Sequence, residues 1–509
     1  RHARSSDFSR LSRRATSPAS SCLSTVGSRY ESCVTTAVVV GSGPNGLAAA
    51  VTLAKAGVQV TVLEAAPRIG GGTRSRELTL PGLVHDECSG FHPLSFDTAF
   101  SRLAGLEQHG LEWAWPEVQY SHPIGGEAGG AAVRSVDETA EGLIGDERAW
   151  RAVFAPLVPR FADIADDFLG PVVRVPQHPI KLGRFGLRAA LPAGLLAKRF
   201  STDEGRALFA GVAAHAFWPF HSVLSSAIGT ALGTAAHAYG WPVAVGGSAA
   251  ITNAMAEVLV AHGGVIETDH RVASVRDLGS PDLVMLDLAP RAAVELMGDE
   301  MPVRVRRALG KYRHGPAAFK VDFAVEGGVP WSHAPSRRSG TVHVSGNYAE
   351  TAAAEAMVHH GQMPERPFVL VGQQYLADPS RSNGNVHPLY AYAHVPSGFA
   401  GDATAAIEAQ IERFAPGFRD RIVARHVQTT TDLSQRNANI VAGDILTGAN
   451  SPRQLVFRPR IGLDPYSLGT PGHFLCSAAT PPGAGAHGMC GYSAAMSALR
   501  CLGRTPALP

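Results

Sequence analysis

Charge is what this sequence is shortest of. Asp, Glu, Lys and Arg make up 17% of its 509 residues, below the quarter or so of ordinary soluble domains, so extensive burial or an apolar surface is expected. The net charge of +2 excludes the strong field that a nucleic-acid-binding face requires. The deficit is concentrated: from Ala207 to Ala256 no residue carries a formal charge. A membrane-spanning helix needs about twenty mostly apolar residues in a row, and here Pro219, Gly233, Gly240 and Pro242 interrupt a stretch in which Ser, Thr and His recur. Buried helices lining an apolar cavity are expected instead, with Phe217, Trp218, Phe220 and Trp241 as wall candidates. An ordinary ligand-free core and shallow membrane contact are the other readings. The six cysteines (Cys22, Cys33, Cys88, Cys476, Cys490, Cys501) form no C-x-x-C. That argues against a dithiol redox pair and a tetrahedral zinc site, and fits a reduced compartment. Residues 1–33 are poor in acids, rich in Ser and Arg, and lack an apolar h-region. They read as a disordered extension, or by composition as an organellar transit peptide, and stand outside the fold.

What is present begins at Thr36. The run Ala37–Val40 is short, apolar and rich in β-branched residues, as in a buried parallel strand. Gly41, Gly43 and Gly46 follow as G-x-G-x-x-G, with Pro44 and Asn45 inside the motif. Leu47 to Ala56 reads as a helix of small residues stopped by Gly57, and Val58 to Leu63 as a second strand ending on Glu64 and Ala65. Gly41 permits the tight turn, Gly43 lets a pyrophosphate approach the backbone, and Gly46 lets the helix pack on the sheet. The helix N-terminus faces the phosphates. Glu64, eighteen residues after Gly46, can accept ribose hydroxyls and would repel a 2′-phosphate, which disfavours NADP. Strand, glycines, helix and acid together predict a dinucleotide site. Arg68 and Arg74, in RIGGGTRS, can neutralise phosphate.

The remaining elements are read by period and punctuation. Leu111–Tyr120 and Ala131–Arg134 are expected as strands around a glycine turn at Gly125–Gly130, with Ser135 capping a helix. Helical patterns run over Trp150–Leu169, Ala189–Phe200 and Ala249–His262. Short strands are expected at Val265–Thr268, Arg271–Val275 and Asp282–Leu288. Lys320 alternates with apolar neighbours and is expected to face solvent or the cavity. His92, before Pro93, is expected as a structural histidine or a pocket wall. A second G-x-G-x-x-G, at Gly483, Gly485 and Gly488, has no strand and acid behind it and reads as a helix N-terminus.

Three blocks, GSGPNGLAAA…LEAAPRIGGGTRS, then GG-x-x-A-I-T-x-A, then PPGAGAHGMCGYSAA, together resemble the phytoene-desaturase-like FAD-dependent oxidoreductases. Within them the chain is most similar to the pyridine nucleotide-disulphide oxidoreductase domain-containing branch, and the resemblance spans nearly everything from Val34 onward. It implies a Rossmann-like α/β FAD-binding domain, discontinuous over residues 34–105, 241–315 and 466–509. An α+β substrate domain would be inserted at 106–240 and 316–465, giving an amine-oxidase or phytoene-desaturase-like architecture. It implies that Gly41, Gly43, Gly46, Glu64, Arg68, Gly71, Gly72, Val272, Gly485, His487, Gly488 and Met489 contact or border FAD, with Val272 giving its backbone to the adenine. The helix after Gly488 would support charge on the reduced flavin.

The expected activity is that of an FAD-dependent dehydrogenase or desaturase, moving a hydride from a lipophilic, polyene-like substrate to the flavin. His487 is the expected catalytic candidate, and no metal is expected. A flavin amine or amino-acid oxidase and a flavin-bearing binding or assembly protein are the alternatives. The expected partner is an apolar small molecule and not nucleic acid; homo-oligomers and peripheral membrane contact stay open. The expected location is cytoplasmic, or organellar if the N-terminal segment is a transit peptide.

Overall fold

The computed structural model describes residues 34–504; the disorder expected for residues 1–33 lies outside them. A five-stranded, all-parallel sheet orders the strands His473–Leu475, Leu283–Leu286, Thr36–Val40, Gln59–Leu63 and Val265–Glu267. Parallel strands are covered on both faces, which is why these read as apolar runs. Alternate residues go to opposite sides. Ala37, Val39, Val60, Val62, Leu283 and Met285 join a core with the helices Pro44–Lys55, Ala249–Ala261 and Met489–Cys501. Val40, Val284, Leu286 and Leu475 pack under Pro290–Met297 and Val303–Leu309. The first helix is built of small residues because the last one lies almost against its backbone: a Cβ on Gly491 would overlap the carbonyl oxygen of Asn45.

The register decides where chemistry can happen. Val40 pairs with Leu63 and with Leu286, and Leu286 pairs with Leu475. Gly41, Glu64, Asp287 and Cys476 therefore leave the sheet together at its carboxyl edge, where ligands bind in open α/β sheets.

A second, seven-stranded mixed sheet has the order Ile422–Gln428, Ala317–Glu326, Val386–Val395, Val369–Gly372, Ser339–Val344, Val118–Gly125 and Ala128–Ala132. Its pairings are antiparallel except that Ser339–Val344 runs parallel to Val118–Gly125. One side buries Phe319, Val321, Phe323, Leu389 and Ala391 against the helix Thr404–Phe414. The other faces an aromatic core of Tyr120, Trp150, Phe209, Trp241, Tyr390 and Tyr392. Among the described residues no helix is long and apolar enough to cross a membrane. The uncharged stretch instead supplies Ser226–Ala238 and parts of Asp203–Ala214 and Ala249–Ala261, all largely buried.

Several local expectations are adjusted. The strand expected over Leu111–Tyr120 breaks at Pro116 into Trp113–Ala114 and Val118–Gly125, because proline cannot donate to a ladder. Its partner starts earlier than Ala131, at Ala128. Ser135 does cap a helix, accepting the Glu138 N–H at 3.1 Å. Helix over Trp150–Leu169 is interrupted by a 3-10 turn at Val158–Arg160, at Pro159. Arg271–Val275 is not a strand. Ser274 and Asp277 bond to each other's backbone in a capping box that starts a 3-10 turn at Val275, diverting groups that a ladder would need.

Candidate functional site

One cavity of about 840 Å³ runs from the carboxyl edge of the parallel sheet into the aromatic core beside the mixed sheet. At the first end its wall is Gly41–Asn45, Glu64–Ala66, Gly71–Arg74 and Arg271–Ala273. Gly41 turns the chain at φ +101°, a value only glycine adopts freely. Glu64 is buried and partly occupied: its Oε2 accepts Ser42 N–H at 2.9 Å and Ser42 Oγ–H at 2.6 Å, and its Oε1 accepts Ala66 N–H at 2.9 Å.

Of the residues singled out from the sequence, Gly41, Gly43, Pro44, Asn45, Glu64, Ala65, Gly71, Gly72, Arg74, Val272 and Gly485 share this wall. Gly46 lies beneath it and gives its N–H to Asp287 Oδ2 at 3.0 Å. Arg68 is exposed, off the wall, and contributes its carbonyl to Arg74 at 2.8 Å. Arg74 spends its guanidinium on that carbonyl, on Arg436 O at 3.2 Å and on Glu64 at 3.4 Å, so it braces the cradle. Gly488 and Met489 also lie off the wall. A Cβ on Gly488 would press within 2.8 Å of Phe100 Cε1, so this glycine serves packing. His487, the expected catalytic candidate, is not among the residues of this wall. Its ring is buried off the wall, its Nδ1 accepts the Met489 N–H at 3.1 Å, and burial holds its pKa down to about 4. It caps the last helix.

Two residues of the cradle, Asp287 and Arg436, were not singled out in advance. Asp287, at the tip of Leu283–Leu286, projects its carboxylate under the glycine turn: a Cβ on Gly43 would lie 2.6 Å from Oδ2. Burial pushes this carboxyl up to about 7, against the pull of the Gly46 and Gly43 N–H groups and with help from Glu64. Arg436 stands in the wall with Nη1 buried and unpartnered, and Asn45 Oδ1 is likewise orphaned. Buried polar atoms normally find partners. The guanidinium donor left open beside a helix N-terminus suits a dinucleotide pyrophosphate, whose oxygens only accept, and Asn45 can turn its amide N–H toward it, so this chain's residues fit the cofactor. Glu64 and Ala65 would hold the ribose end, Val272 the base, and Gly43, Asn45 and Arg436 the phosphates.

The far end is an apolar chamber. His215, Leu232, Trp241, Thr341, Leu370, Tyr390, Tyr392 and Ile440 line it, with no charged side chain among them. Of the four aromatic residues expected to wall a cavity, only Trp241 does so. Phe217 stacks on His394 at 3.6 Å, Trp218 meets His359 edge to face at 4.4 Å, and Phe220 is buried away from the wall. His92 is in the wall, with Nε2 2.9 Å from Ser248 Oγ. Cys88 is also there. Burial pushes its thiol up to about 11, so it stays neutral, and Cys88, Cys476, Cys490 and Cys501 are all free thiols. Lys320 reaches neither solvent nor cavity wall. It is buried, paired with Asp322 and 4.5 Å above the Tyr390 ring. Burial alone would raise the Asp322 carboxyl; Lys320 and His85 hold it below the usual range. A tighter buried cluster ties the cradle to the chamber. Arg381 pairs with Asp86 at 2.6 Å and Asp378 at 3.1 Å, while Asp86 also takes Ser75 Oγ–H and Ser248 N–H.

A parallel dinucleotide cradle opening into a chamber beside a mixed sheet is an amine-oxidase-like architecture. Residues 39–104 match the family model of the NAD(P)-binding Rossmann-like domain. The chain is similar to mouse pyridine nucleotide-disulfide oxidoreductase domain-containing protein 2, at 38% identity over 93 residues (18% of this chain, 16% of that protein). With the rat protein of the same name it shares 23% identity over 309 residues, 52% of each chain. These matches span at most about half the length of those relatives. Among solved structures, putrescine oxidase bound to putrescine superposes with TM-score 0.56 at 18% identity, covering 92% of this chain and 99% of that one. Cyclohexylamine oxidase from Brevibacterium oxydans gives 0.53 at 16%, covering 92% and 100%. At these identities the likeness is one of fold.

Proposed function

We propose that the protein is an FAD-dependent oxidoreductase, a dehydrogenase or desaturase for a lipophilic small molecule, polyenes included. The observation that carries this reading is the single cavity joining a dinucleotide cradle to an apolar chamber without a charged side chain. A bound FAD would supply the two-electron acceptor. The chain's own part is to hold the substrate against it and to keep water out, which the chamber's aromatic wall suits. The buried, neutral thiol of Cys88 does not support disulfide chemistry. An ammonium substrate would need a carboxylate or an electron-rich cage in the chamber; no carboxylate is among its lining residues, but Trp241, Tyr390 and Tyr392 are, so amines belong in the test panel as the second reading.

The test is anaerobic mixing of the flavin-loaded protein with carotenoids, retinoids, fatty acyl compounds and amines while the flavin absorbance is followed. Bleaching by a lipophilic alkane or alkene is the expected outcome. Bleaching by amines alone would overturn the substrate class, and a protein that binds no flavin would overturn the whole reading.

A further inference from the structure

One ring in the chamber has its protonation pattern set from outside it. His215 ends the helix Asp203–Ala214 and stands in the cavity wall. Its Nε2 lies 2.8 Å from Nε2 of His343, the two rings meeting edge to face. Behind them His122 places its Nε2 2.7 Å from the carbonyl oxygen of Gly346. The Nδ1 atoms of His343 and His122 are both buried without partners. Both would lie 2.6 Å from a Cβ on Gly211, so they face one point.

The tautomers follow in order from the anchored end. A carbonyl only accepts, so His122 Nε2 carries hydrogen and its Nδ1 is a bare lone pair. Two lone pairs turned to one point repel, so His343 places its proton on Nδ1 and accepts at Nε2. His215 must then donate from Nε2, which leaves its Nδ1 as a bare acceptor for the chamber. All three rings stay neutral. Burial holds His122 down to about 4 and His215 to about 3, and burial with the neighbouring rings holds His343 well below the ordinary range. The titratable neighbours are few: His394, itself 2.6 Å from Glu355, beside His215 and His343, and His333 and Glu350 beside His122. Thr341 Oγ1 lines the same cavity, buried and without a partner.

We propose that His215 is a specificity-determining residue: it offers a fixed hydrogen-bond acceptor, and the molecule that enters the chamber is an apolar compound carrying a hydroxyl or N–H donor rather than a pure hydrocarbon. This rests on reading the chamber as the substrate site. A donorless ligand would bury the His215 lone pair unpaired, which costs about 1–3 kcal/mol.

Matched probes test it. Isothermal titration of the flavin-loaded protein with 2-naphthol and with 2-methoxynaphthalene should favour the naphthol by about tenfold. H215L should bind both alike. H122F, which leaves the chamber wall intact but frees the tautomers, should narrow the gap. Nitrogen-15 spectra of histidine-labelled wild-type protein should find the His215 signal, identified by its loss in H215L, protonated at Nε2 and bare at Nδ1. Equal binding by the wild type, no binding of 2-naphthol, a preference that survives in H215L, or a proton on His215 Nδ1 would each overturn the proposal. None of these readings depends on flavin bleaching, so failure of the oxidoreductase reading is seen separately.

Discussion

Replacing Asp287 by Asn should change how the protein holds its dinucleotide as pH rises. The carboxylate sits on the N-terminus of the helix Pro44–Lys55, accepting the Gly46 N–H at 3.0 Å, directly under the turn that a pyrophosphate would cover. The groups facing it are Glu64 from the neighbouring strand and the thiols of Cys476 and Cys490. Burial pushes both thiols up, Cys490 to about 12, so among the described residues Glu64 is the charged group that bears on it. With the Asp287 carboxyl at about 7, it is mostly neutral below pH 7 and ionised above. A phosphate charge at about 6 Å, in an effective dielectric of about 20, repels the ionised form by about 2.8 kcal/mol. That is about a hundredfold in Kd, so binding raises the carboxyl by about two further pH units.

FAD affinity should therefore be flat below pH 7, weaken about tenfold per pH unit between roughly 7 and 9, and level off. D287N keeps an acceptor for Gly46, loses the charge, and should bind FAD with a flat profile, about a hundredfold tighter than wild type near pH 9. Stability has the same sign. A carboxyl raised in the folded state stabilises fully below its unfolded value of 3.8 and loses that contribution as pH climbs through about 7. Beyond that the cost is about 4 kcal/mol at about 1.36 per tenfold. Fluorescence titration with FAD from pH 6 to 9, with urea melts alongside, reads both. A wild-type Kd independent of pH, or a slope that D287N retains, would refute the reasoning.

Two further changes test the packing. G491A places a methyl where Asn45 O already is and should lower the urea midpoint by the equivalent of about 1–3 kcal/mol or more, because backbone cannot rotate away. K320M strands the Asp322 carboxylate, fully buried, and should cost about 3–5 kcal/mol, whereas K320M with D322N should recover much of it; equal losses in the two variants would mean that the pair is not coupled.

Much of the fold was legible because its first forty residues obey local rules. An apolar β-branched run, glycines at fixed spacing and a terminal acid all report on one βαβ unit, and the parallel sheet follows. The site was less legible because its decisive groups arrive from far along the chain. Asp287 is an unremarkable acid after a short strand until the register sets Leu286 beside Val40. Arg436 ends the helix Thr430–Arg436, 362 residues after Arg74, and only the structure shows Arg74 bonded to its carbonyl. His215 could be seen in the uncharged stretch, but His122 and His343 meet it only where strands Val118–Gly125 and Ser339–Val344 run side by side. Composition flagged four aromatic residues as wall and was right about one, since burial against His394 or His359 leaves the same compositional trace as lining a cavity.

The two ends of the cavity show one physical device put to opposite use. The glycine fingerprint is usually read as space for a ligand, yet here Gly43 and Gly46 also make room for Asp287 from below; a Cβ on Gly46 would lie 3.1 Å from Oδ2. Beside Glu64, that second carboxylate makes the cradle less hospitable to phosphate than the fingerprint alone implies, and Arg436 with a protonated Asp287 offsets it. Burial is what keeps that proton in place. In the chamber burial instead keeps protons off the histidines, so that a ring which would be a charge in water becomes a directional acceptor. Both groups are poised by desolvation rather than by partner ions. Water admitted to either end should therefore degrade cofactor affinity and ligand selectivity together, and a cavity-opening substitution such as W241A should weaken the naphthol preference while moving the loss of FAD to lower pH.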